Sequence, residues 1–312
     1  MFHASRSSGI MCGYDILLKD TPRYVGYVGI GIMGGSMAGR LLAAGHTLFV
    51  HNRTADKCEP LAAGGATVCR SPAEVASRAE VVFVNVPDTP DVAKVLFDPD
   101  GIIDEAEPGL IVIDNSTISP AATRQFAGRL RDMDIDYLDA PVSGGDVGAR
   151  QGTLAIMVGG NRPVFDKALP LLRALGAKVE LVGPVGAGQT CKAINQLFCA
   201  LHMLACCEGI ALAKKAGLSP SVMVDMISSG AGGSWALKNL GPKIIAGDTA
   251  PGFMIDLLCK DLRYTMELAH EGGQPLVGTS LVQQLFAEAQ DMGLGREGTQ
   301  ALHRVIDGLG DR

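Results

Sequence analysis

The chain has few charged and aromatic residues, and no cluster of lysine and arginine stands out in it. Charged residues make up 19% of the 312 positions and aromatic residues 5%, and the formal net charge is −6. A nucleic-acid-binding surface needs a basic patch, so we expect no nucleic-acid partner. Hydrophobic residues make up 47% of the chain, which is typical of a globular protein. A chain of this length can form two domains with separate cores.

The residue spacings that mark metal sites and disulfide frameworks are also missing. The eight cysteines form no CxxC pair, and the six histidines form neither HxxxH nor HExxH. We therefore expect no metal site, reduced thiols and a cytoplasmic location. The longest apolar run, residues 197–213, is interrupted by His202 and Glu208. We interpret it as a buried helix and expect no membrane association.

Residues 1–23 have neither the apolar core of a signal peptide nor the acid-poor composition of a transit peptide, since Asp15 and Asp20 lie among them. We interpret them as an N-terminal tail, with translation from Met11 as the alternative. The rest divides into an alternating strand–helix part, residues 24–186, and a helical part, residues 187–312.

A glycine-rich motif near the start of the first part predicts a dinucleotide-binding domain. The apolar segment YVGYVGI runs into Gly29-x-Gly31-x-x-Gly34, which is followed by the helix-like GSMAGRLLAAG and the strand-like HTLFVHNRT. In such a unit the glycines allow a tight turn, close approach of a pyrophosphate and packing of the helix on its strand. Ile32 and Met33 lie within the same loop and are predicted to bind the cofactor with it. The alternative is a loop that only resembles this motif.

The second predicted strand ends in Asn52-Arg53-Thr54. An NAD site usually places a carboxylate here to hold the ribose hydroxyls. An amide, a guanidinium and a hydroxyl are instead donors suited to a phosphate group. We therefore predict NADP(H) as the preferred cofactor, with NAD(H) possible. The alternative for Arg53 is a solvated loop residue.

Further buried-strand patterns extend the predicted sheet, at residues 79–87, 109–117, 136–142, 153–160 and 178–183. Parallel sheets bind ligands beyond the carboxyl ends of their strands. Val86-Pro87 and Asn115-Ser116-Thr117 follow two of these strands, so we predict contact with the cofactor there. The alternative is ordinary turn chemistry.

The turn Ser143-Gly144-Gly145 offers a hydroxyl and unhindered backbone amides after another strand. Such a loop can hold a carboxylate, and a plain glycine turn is the alternative.

In the second half, residues 189–215 read as one unusually long helix. Lys192 lies one helical turn from Asn195 and Gln196, so the three side chains can face one cleft. The alternative is a surface lysine with polar neighbours.

With these motifs the chain resembles the β-hydroxyacid dehydrogenase family over about residues 24–309. The resemblance rests on GIGIMGGSMAGRL at 29–41, DAPVSGG at 139–145, GQTCKAINQ at 188–196 and KDL at 260–262. It implies a doubly wound, parallel-sheet Rossmann domain followed by an all-helical domain built on a long interdomain helix. It also implies a homodimer or homotetramer.

The resemblance further implies roles for individual residues. Lys192 matches the catalytic lysine, and Ser143, Gly144 and Gly145 match the loop that binds the substrate carboxylate. Phe253 and Asp261 match positions that line the closed site, and Lys260 matches one near the cofactor or substrate.

One departure distinguishes the chain within the family. Many members have asparagine four residues after the lysine, whereas this chain has Asn195 at three and Gln196 at four. The tartronate semialdehyde reductases resemble it in this Asn-Gln pair, and both side chains are candidates for substrate contact. The expected activity is reduction of a semialdehyde acid with Lys192 as general acid/base. The alternatives are 3-hydroxyisobutyrate dehydrogenase, glyoxylate/succinic semialdehyde reductase and a non-catalytic NADPH-binding module.

Overall fold

The computed structural model describes residues 22–310 and confirms the α/β fold. The predicted tail, residues 1–23, lies outside the described residues apart from its last two positions. The described strands are β1 (Tyr24–Val28), β2 (Thr47–His51), β3 (Thr67–Val68), β4 (Val81–Val84), β5 (Ile111–Asp114), β6 (Asp136–Asp139), β7 (Val142–Ser143), β8 (Leu154–Gly159) and β9 (Gly176–Gly183).

Helices alternate with these strands. They are α1 (Ile32–Ala43), α2 (Glu59–Ala63, after a 3-10 turn at Ala55–Cys58), α3 (Pro72–Ala76), α4 (Thr89–Phe97), α5 (Ile102–Glu105), α6 (Pro120–Arg131), α7 (Gly145–Gln151) and α8 (Arg162–Leu175). Strands β1 to β6 form a parallel sheet in the order β3-β2-β1-β4-β5-β6. This is the doubly wound Rossmann topology that the sequence predicts.

Two hydrophobic cores lie on opposite faces of the sheet, because side chains alternate along each strand. Val25 and Tyr27 of β1 pack with α1 and α8 in one core. Val82 and Val84 of β4 pack with α3, α4 and α6 in the other. Strands β4 and β5 are buried at every residue, as expected for strands covered on both faces.

The last strands run in mixed directions. Strand β8 is antiparallel to β6 and β7, and β9 is parallel to β8. The sequence predicts one strand over residues 136–142, whereas the structure has two, separated at Ala140 and Pro141. A proline has no amide hydrogen for the ladder, which accounts for the break. The two-residue strand β3 is not predicted by the sequence, because so short a segment shows no periodicity, and β7 is predicted only as the end of the longer strand.

From residue 187 the described chain is helical, apart from connecting turns and a single β-bridge between Met254 and Gly298. The elements are α9 (Ala187–Lys215), α10 (Pro220–Ser228), α11 (Trp235–Ala246), α12 (Ile255–Glu271), α13 (Val277–Asp291), a 3-10 turn (Thr299–Leu302) and α14 (His303–Gly310). Helix α9, 29 residues long, contacts β8 and β9 near its start and α11, α12 and α13 along its length. It is therefore the predicted long helix that joins the two parts.

Among the described residues, α9 is the one helix long and apolar enough, by length and composition, to cross a membrane. Its contacts within the helical core account for that composition. Met203, Cys207 and Ile210 are buried there among side chains of the other helices, and the polar Lys192 and Gln196 are buried on the same helix.

Candidate functional site

The glycine loop between β1 and α1 has the geometry of a phosphate-binding turn. Gly29 has a positive φ of 100°, and a Cβ at Gly34 would lie 2.0 Å from the carbonyl oxygen of Gly29. Gly31 instead faces open space, with no atom within 4 Å of its Cβ position. No side chain caps α1 at Gly31, and its first turn carries no acidic residue. The helix N-terminus therefore presents free amides and a positive dipole end to an anion.

Asn52 links this loop to the end of β2. Its Oδ1 accepts a hydrogen bond from the Ile30 backbone nitrogen at 2.9 Å, and its Nδ2 donates to the Thr54 carbonyl at 2.8 Å. Both polar atoms of the Asn52 side chain are therefore hydrogen-bonded to the protein backbone. Arg53 and Thr54 are exposed, and Arg53 forms no ion pair within residues 22–310. These two side chains remain as donors at the edge of the cofactor loop.

The loops after β4 and β5 are held together at the carboxyl edge of the sheet. The Val86 backbone nitrogen donates to Ser116 Oγ at 2.9 Å. Lys260 Nζ, on α12, donates to the carbonyl oxygens of Pro87 at 2.8 Å and Thr117 at 2.6 Å. The structure therefore brings these four predicted cofactor residues together with Lys260. The Lys260 ammonium group is thus hydrogen-bonded to two backbone carbonyl groups.

The start of α9 is fixed to the sheet by Asp139 and Gln189, two residues that the sequence analysis did not single out. Asp139 accepts hydrogen bonds from the backbone nitrogens of Gly186 at 2.7 Å and Gln189 at 2.8 Å. The Gln189 side chain donates to the Ser116 carbonyl at 2.7 Å. A Cβ at Gly188 would lie 2.4 Å from the Met157 carbonyl oxygen. Only glycine lets the helix approach the sheet this closely, and Lys192 follows one turn later.

Lys192 is buried, with 7% of its surface exposed. Burial lowers the pKa of its ammonium group, while the negative charge of Asp261 acts to raise it and Lys260 acts to lower it. Asp261 is 2% exposed, and burial raises the pKa of its carboxyl against the opposing charges of Lys260 and Lys192. Lys192 is therefore a desolvated amine whose protonation responds to one buried carboxylate, which is a feature of functional sites.

The two amides after Lys192 have different surroundings. Gln196 is 2% exposed, and its Nε2 donates to Asp261 Oδ2 at 2.6 Å. Asn195 is partly buried, and its Nδ2 lies 2.8 Å from Gln196 Oε1 and 3.4 Å from Cys199 Sγ. Gln196 thus links α9 to α12, and both polar atoms of its side-chain amide are hydrogen-bonded within the protein.

The loop at residues 143–145 opens α7. Gly144 and Gly145 both have positive φ, at 135° and 64°, and no atom lies within 4 Å of a Cβ on Gly145. Ser143 pairs with Ala155 of β8, so the pairing of β7 with β8 positions the start of the loop. Phe253, just before α12, is partly buried against the helical core, and its carbonyl accepts a hydrogen bond from the Thr299 nitrogen at 3.0 Å.

Together the sheet, the uncapped glycine loop and the buried lysine define a class of protein, the Rossmann-fold NAD(P)-dependent oxidoreductases. Residues 24–183 match the NAD-binding domain model of 6-phosphogluconate dehydrogenase. Residues 186–306 match the model described as NAD-binding of NADP-dependent 3-hydroxyisobutyrate dehydrogenase. Among residues 22–310 no cluster of potential metal ligands is found.

Similar proteins narrow the class. The chain is 40% identical over 262 residues to the 2-hydroxy-3-oxopropionate reductase of Escherichia coli K12, covering 84% of this chain and 89% of that one. It is 34% identical to the crystal structure of 3-hydroxyisobutyrate dehydrogenase from Salmonella typhimurium, with a TM-score of 0.83, covering 90% of this chain and 99% of that one. The chain therefore belongs to the β-hydroxyacid dehydrogenase family.

One of the similar solved structures was determined with ligands. Psf3 in complex with NADP+ and 2-OPP has a TM-score of 0.83 to this chain at 28% identity, and the match covers 90% of this chain and 99% of that one. The fold of the present chain therefore matches, over most of its length, a protein that holds NADP+ together with a second ligand.

Proposed function

We propose that the protein is an NADP(H)-dependent reductase of semialdehyde acids, most similar in activity to 2-hydroxy-3-oxopropionate reductases. The observation that carries the proposal is the buried Lys192, placed one turn into α9 and beside the Gln196–Asp261 pair. A buried lysine of lowered pKa suits proton transfer to or from an oxygen.

The proposed reaction is reduction of the aldehyde to a hydroxyl group. When bound, the nicotinamide supplies the hydride for the carbonyl carbon. Lys192 Nζ donates a proton to the carbonyl oxygen, and in the reverse direction neutral Lys192 accepts it. Both polar atoms of the Gln196 amide are hydrogen-bonded, to Asp261 and to Asn195, whereas within residues 22–310 the Asn195 amide uses only its Nδ2. We therefore assign the substrate contact to Asn195 Oδ1. These residues orient the carbonyl and exclude water while the proton moves.

The cofactor preference rests on the end of β2. Gly29, Gly31 and Gly34 together with Ile32 and Met33 would hold the pyrophosphate at the N-terminus of α1. Arg53 and Thr54 are exposed donors beside that loop, where an NAD enzyme usually has a carboxylate. Arginine binds phosphate with two hydrogen bonds, so we assign the 2′-phosphate of NADP(H) to Arg53.

The substrate carboxylate is assigned to the loop Ser143-Gly144-Gly145, whose backbone is unhindered at Gly145. The E. coli relative is named a 2-hydroxy-3-oxopropionate reductase, which favours tartronate semialdehyde as the substrate. The Salmonella structure is named a 3-hydroxyisobutyrate dehydrogenase, and that activity is the second candidate. Two substrates that differ by one methylene group differ in binding free energy by only about 1–3 kcal/mol. The activity assay below therefore distinguishes the two candidates.

We further propose that the protein acts as a homodimer or homotetramer. Helix α9 leaves large apolar side chains exposed, at Ile194, Phe198 and Leu212, of which Leu212 is 70% exposed. Apolar surface of this kind on one long helix is typical of an association surface. Light scattering coupled to size exclusion would measure the assembly, and a mass of 32.5 kDa would show that the proposal is wrong.

The test of function is loss of NADPH absorbance with tartronate semialdehyde, 3-oxo-2-methylpropanoate, succinic semialdehyde and glyoxylate, repeated with NADH. Fastest turnover of tartronate semialdehyde with NADPH is the expected result. A preference for NADH would contradict the role of Arg53. No turnover of any acid, with NADPH still bound, would instead indicate the non-catalytic binding module.

A further inference from the structure

A cluster of five polar side chains joins the helical domain to the Rossmann domain beside the predicted site, and of the five only Lys260 is a predicted site residue. Asp88 and Thr89 lie in the loop after β4, where Asp88 caps the N-terminus of α4. Lys260, Arg263 and Tyr264 lie on α12. We call this cluster the interdomain clasp. The contacts between the two groups join residues 175 or 176 positions apart, so they cannot be read from local sequence.

The centre of the clasp is the Tyr264 hydroxyl. It is hydrogen-bonded to Asp88 Oδ1 and lies 2.7 Å from Thr89 Oγ1. Arg263 Nη2 is 3.1 Å from Asp88 Oδ2, and its guanidinium carbon lies 4.7 Å from the centre of the Tyr264 ring. Asp88 is thus held by a hydroxyl and a guanidinium, both from the other domain.

Charge and burial favour a lasting contact. Tyr264 is 4% exposed, and burial raises the pKa of its hydroxyl to about 12, so the hydroxyl keeps its proton and donates. Burial acts to raise the pKa of Asp88, but hydrogen bonds from Tyr264 and the Thr89 nitrogen outweigh it and leave the pKa below its ordinary value. A hydrogen bond to an ionised partner is among the stronger ones.

The clasp holds the two loops on which the cofactor is predicted to lie. Thr89 Oγ1 accepts a hydrogen bond from the Ser119 nitrogen at 3.1 Å, which ties the loop after β4 to the loop after β5. Lys260 donates to the carbonyls of Pro87 and Thr117, one in each loop. Both loops are therefore fixed to α12.

The neighbouring side of α12 holds the turn that carries Lys192. Asp261 accepts the Gln196 hydrogen bond at 2.6 Å, and Thr265 Oγ1 donates to the Ala193 carbonyl at 3.1 Å. Positions 260, 261, 264 and 265 repeat at helical spacing. One helix therefore contacts the cofactor loops with one face and the lysine turn with the neighbouring face.

We propose that Asp88 and Tyr264 are positioning residues for hydride transfer, which fix the separation between the Lys192 turn and the two cofactor loops. The proposal rests on the reductase function proposed above. Neither residue touches the reacting atoms, and both act through α12. Misplacement of reacting groups by about 1 Å can cost about 100-fold in rate, so loosening the clasp should slow the transfer itself.

Two variants remove contacts at the centre of the clasp without removing a structural cap. Tyr264→Phe keeps the buried ring and removes the hydroxyl. Asp88→Ser keeps a residue that caps α4 as well as aspartate does, but it removes the charge and is too short for Tyr264. Arg304→Gln is the matched control, because Arg304 pairs with Glu297 at 2.9 Å at similar exposure but within the helical domain.

The measurements are the single-turnover rate of NADPH oxidation, the KM for the acid, the Kd of NADPH from its fluorescence, and Tm. We expect both clasp variants to lower the single-turnover rate by about tenfold or more with much smaller changes in KM. The double variant should lose little more than either single one, because the two residues act as a pair. Rates equal to that of Arg304→Gln, at similar loss of Tm, would show that the clasp is only structural.

Failure of the proposed function is recognised separately. If the wild-type protein reduces none of the acids, the reductase assignment fails, and the clasp is judged by hydrogen exchange in the NADPH-bound protein. Faster exchange of residues 86–89 and of the α9 turn at Lys192 in Tyr264→Phe, but not in Arg304→Gln, supports the coupling through α12. Unchanged exchange in those segments overturns it.

Discussion

The side-chain amide of Gln196 donates to Asp261 Oδ2 at 2.6 Å, and both residues are almost fully buried where α9 meets α12. This contact places a carboxylate beside Lys192 whose negative charge acts to raise the pKa of the lysine. The negative charge that acts on the proposed acid/base thus comes from a second helix, at a residue 69 positions further along the sequence.

Substitution of Lys192 tests the proposed chemistry directly. We expect Lys192→Ala to lower kcat by at least about 100-fold, since general acid–base catalysis contributes about 10²- to 10⁴-fold. The Kd of NADPH, measured by fluorescence, should stay within a few-fold of the wild-type value. An equal loss of cofactor binding and turnover would identify Lys192 as a structural residue.

The pH dependence of reduction follows from the protonation of Lys192. Reduction uses the ammonium form, so kcat/KM for reduction falls as the pH rises through the pKa of Lys192, and oxidation rises over the same range. Burial lowers that pKa. The falling limb of the pH profile for reduction should therefore lie below the ordinary lysine pKa of about 10.4.

Substitution of Asp261 should move this limb. Asp261→Asn removes the charge that raises the pKa of Lys192, so we expect the limb for reduction to shift to lower pH. Asp166→Asn, whose carboxylate pairs with Arg162 on the surface, is the control and should leave the limb in place. A limb at the wild-type pH in Asp261→Asn would mean that another group governs the profile.

The cofactor preference is tested at Arg53. We expect Arg53→Gln to weaken NADPH binding by about 10- to 100-fold, because a charged hydrogen-bonding pair contributes about 1.5–3 kcal/mol, and to leave NADH binding almost unchanged. Titration of cofactor fluorescence measures both values. Arg162→Gln is the control for loss of one positive charge, and parallel weakening of NADH and NADPH would argue against a phosphate contact.

Two glycines of α9 should respond in opposite ways to alanine. A Cβ at Gly188 would lie 2.4 Å from the Met157 carbonyl oxygen, whereas a Cβ at Gly209 would have no atom within 4 Å. We expect Gly188→Ala to destabilise the protein by about 1–3 kcal/mol and to lower kcat. Gly209→Ala should stabilise it by up to about 1 kcal/mol. Denaturant unfolding of both variants measures these changes, and tolerance of Gly188→Ala would contradict the close approach of α9 to the sheet.

The buried carboxyl of Asp114 should make stability depend on pH. Burial raises its pKa to about 6 against hydrogen bonds from Ser116 and Tyr137. The folded state then binds the proton more tightly than the unfolded state does, so the unfolding free energy falls as the pH rises from about 4 to above 6, by about 3 kcal/mol.

Asp114→Asn removes this dependence. The difference in unfolding free energy between wild type and variant should move in favour of the variant by about 2 kcal/mol between pH 4 and pH 7, since the rest of the change lies below pH 4. All other groups titrate in both proteins, so the difference isolates Asp114. The same difference at both pH values would show that the carboxyl is not protonated preferentially in the folded state.

Most of the fold could be predicted from the sequence, because the relevant signals are local. The apolar runs at β1, β4 and β5 alternate with helix-like segments, and Gly29-x-Gly31-x-x-Gly34 stands between a strand and a helix. The two-residue strand β3 could not be predicted, since so short a segment shows no periodicity and its pairing partner lies elsewhere in the chain. The break at Pro141 was not predicted either, although the proline itself could have indicated it.

The sequence by itself determined the fold class, the family and the identity of the candidate residues, because glycine spacing, strand periodicity and the Lys192 motif are each written within a few positions. Only the tertiary structure decided that Gln196 faces Asp261, that Asp139 caps α9 and that Tyr264 reaches Asp88. These contacts join residues 47 to 176 positions apart. Their distances are set by how the helices pack on the sheet, and no local pattern encodes that packing.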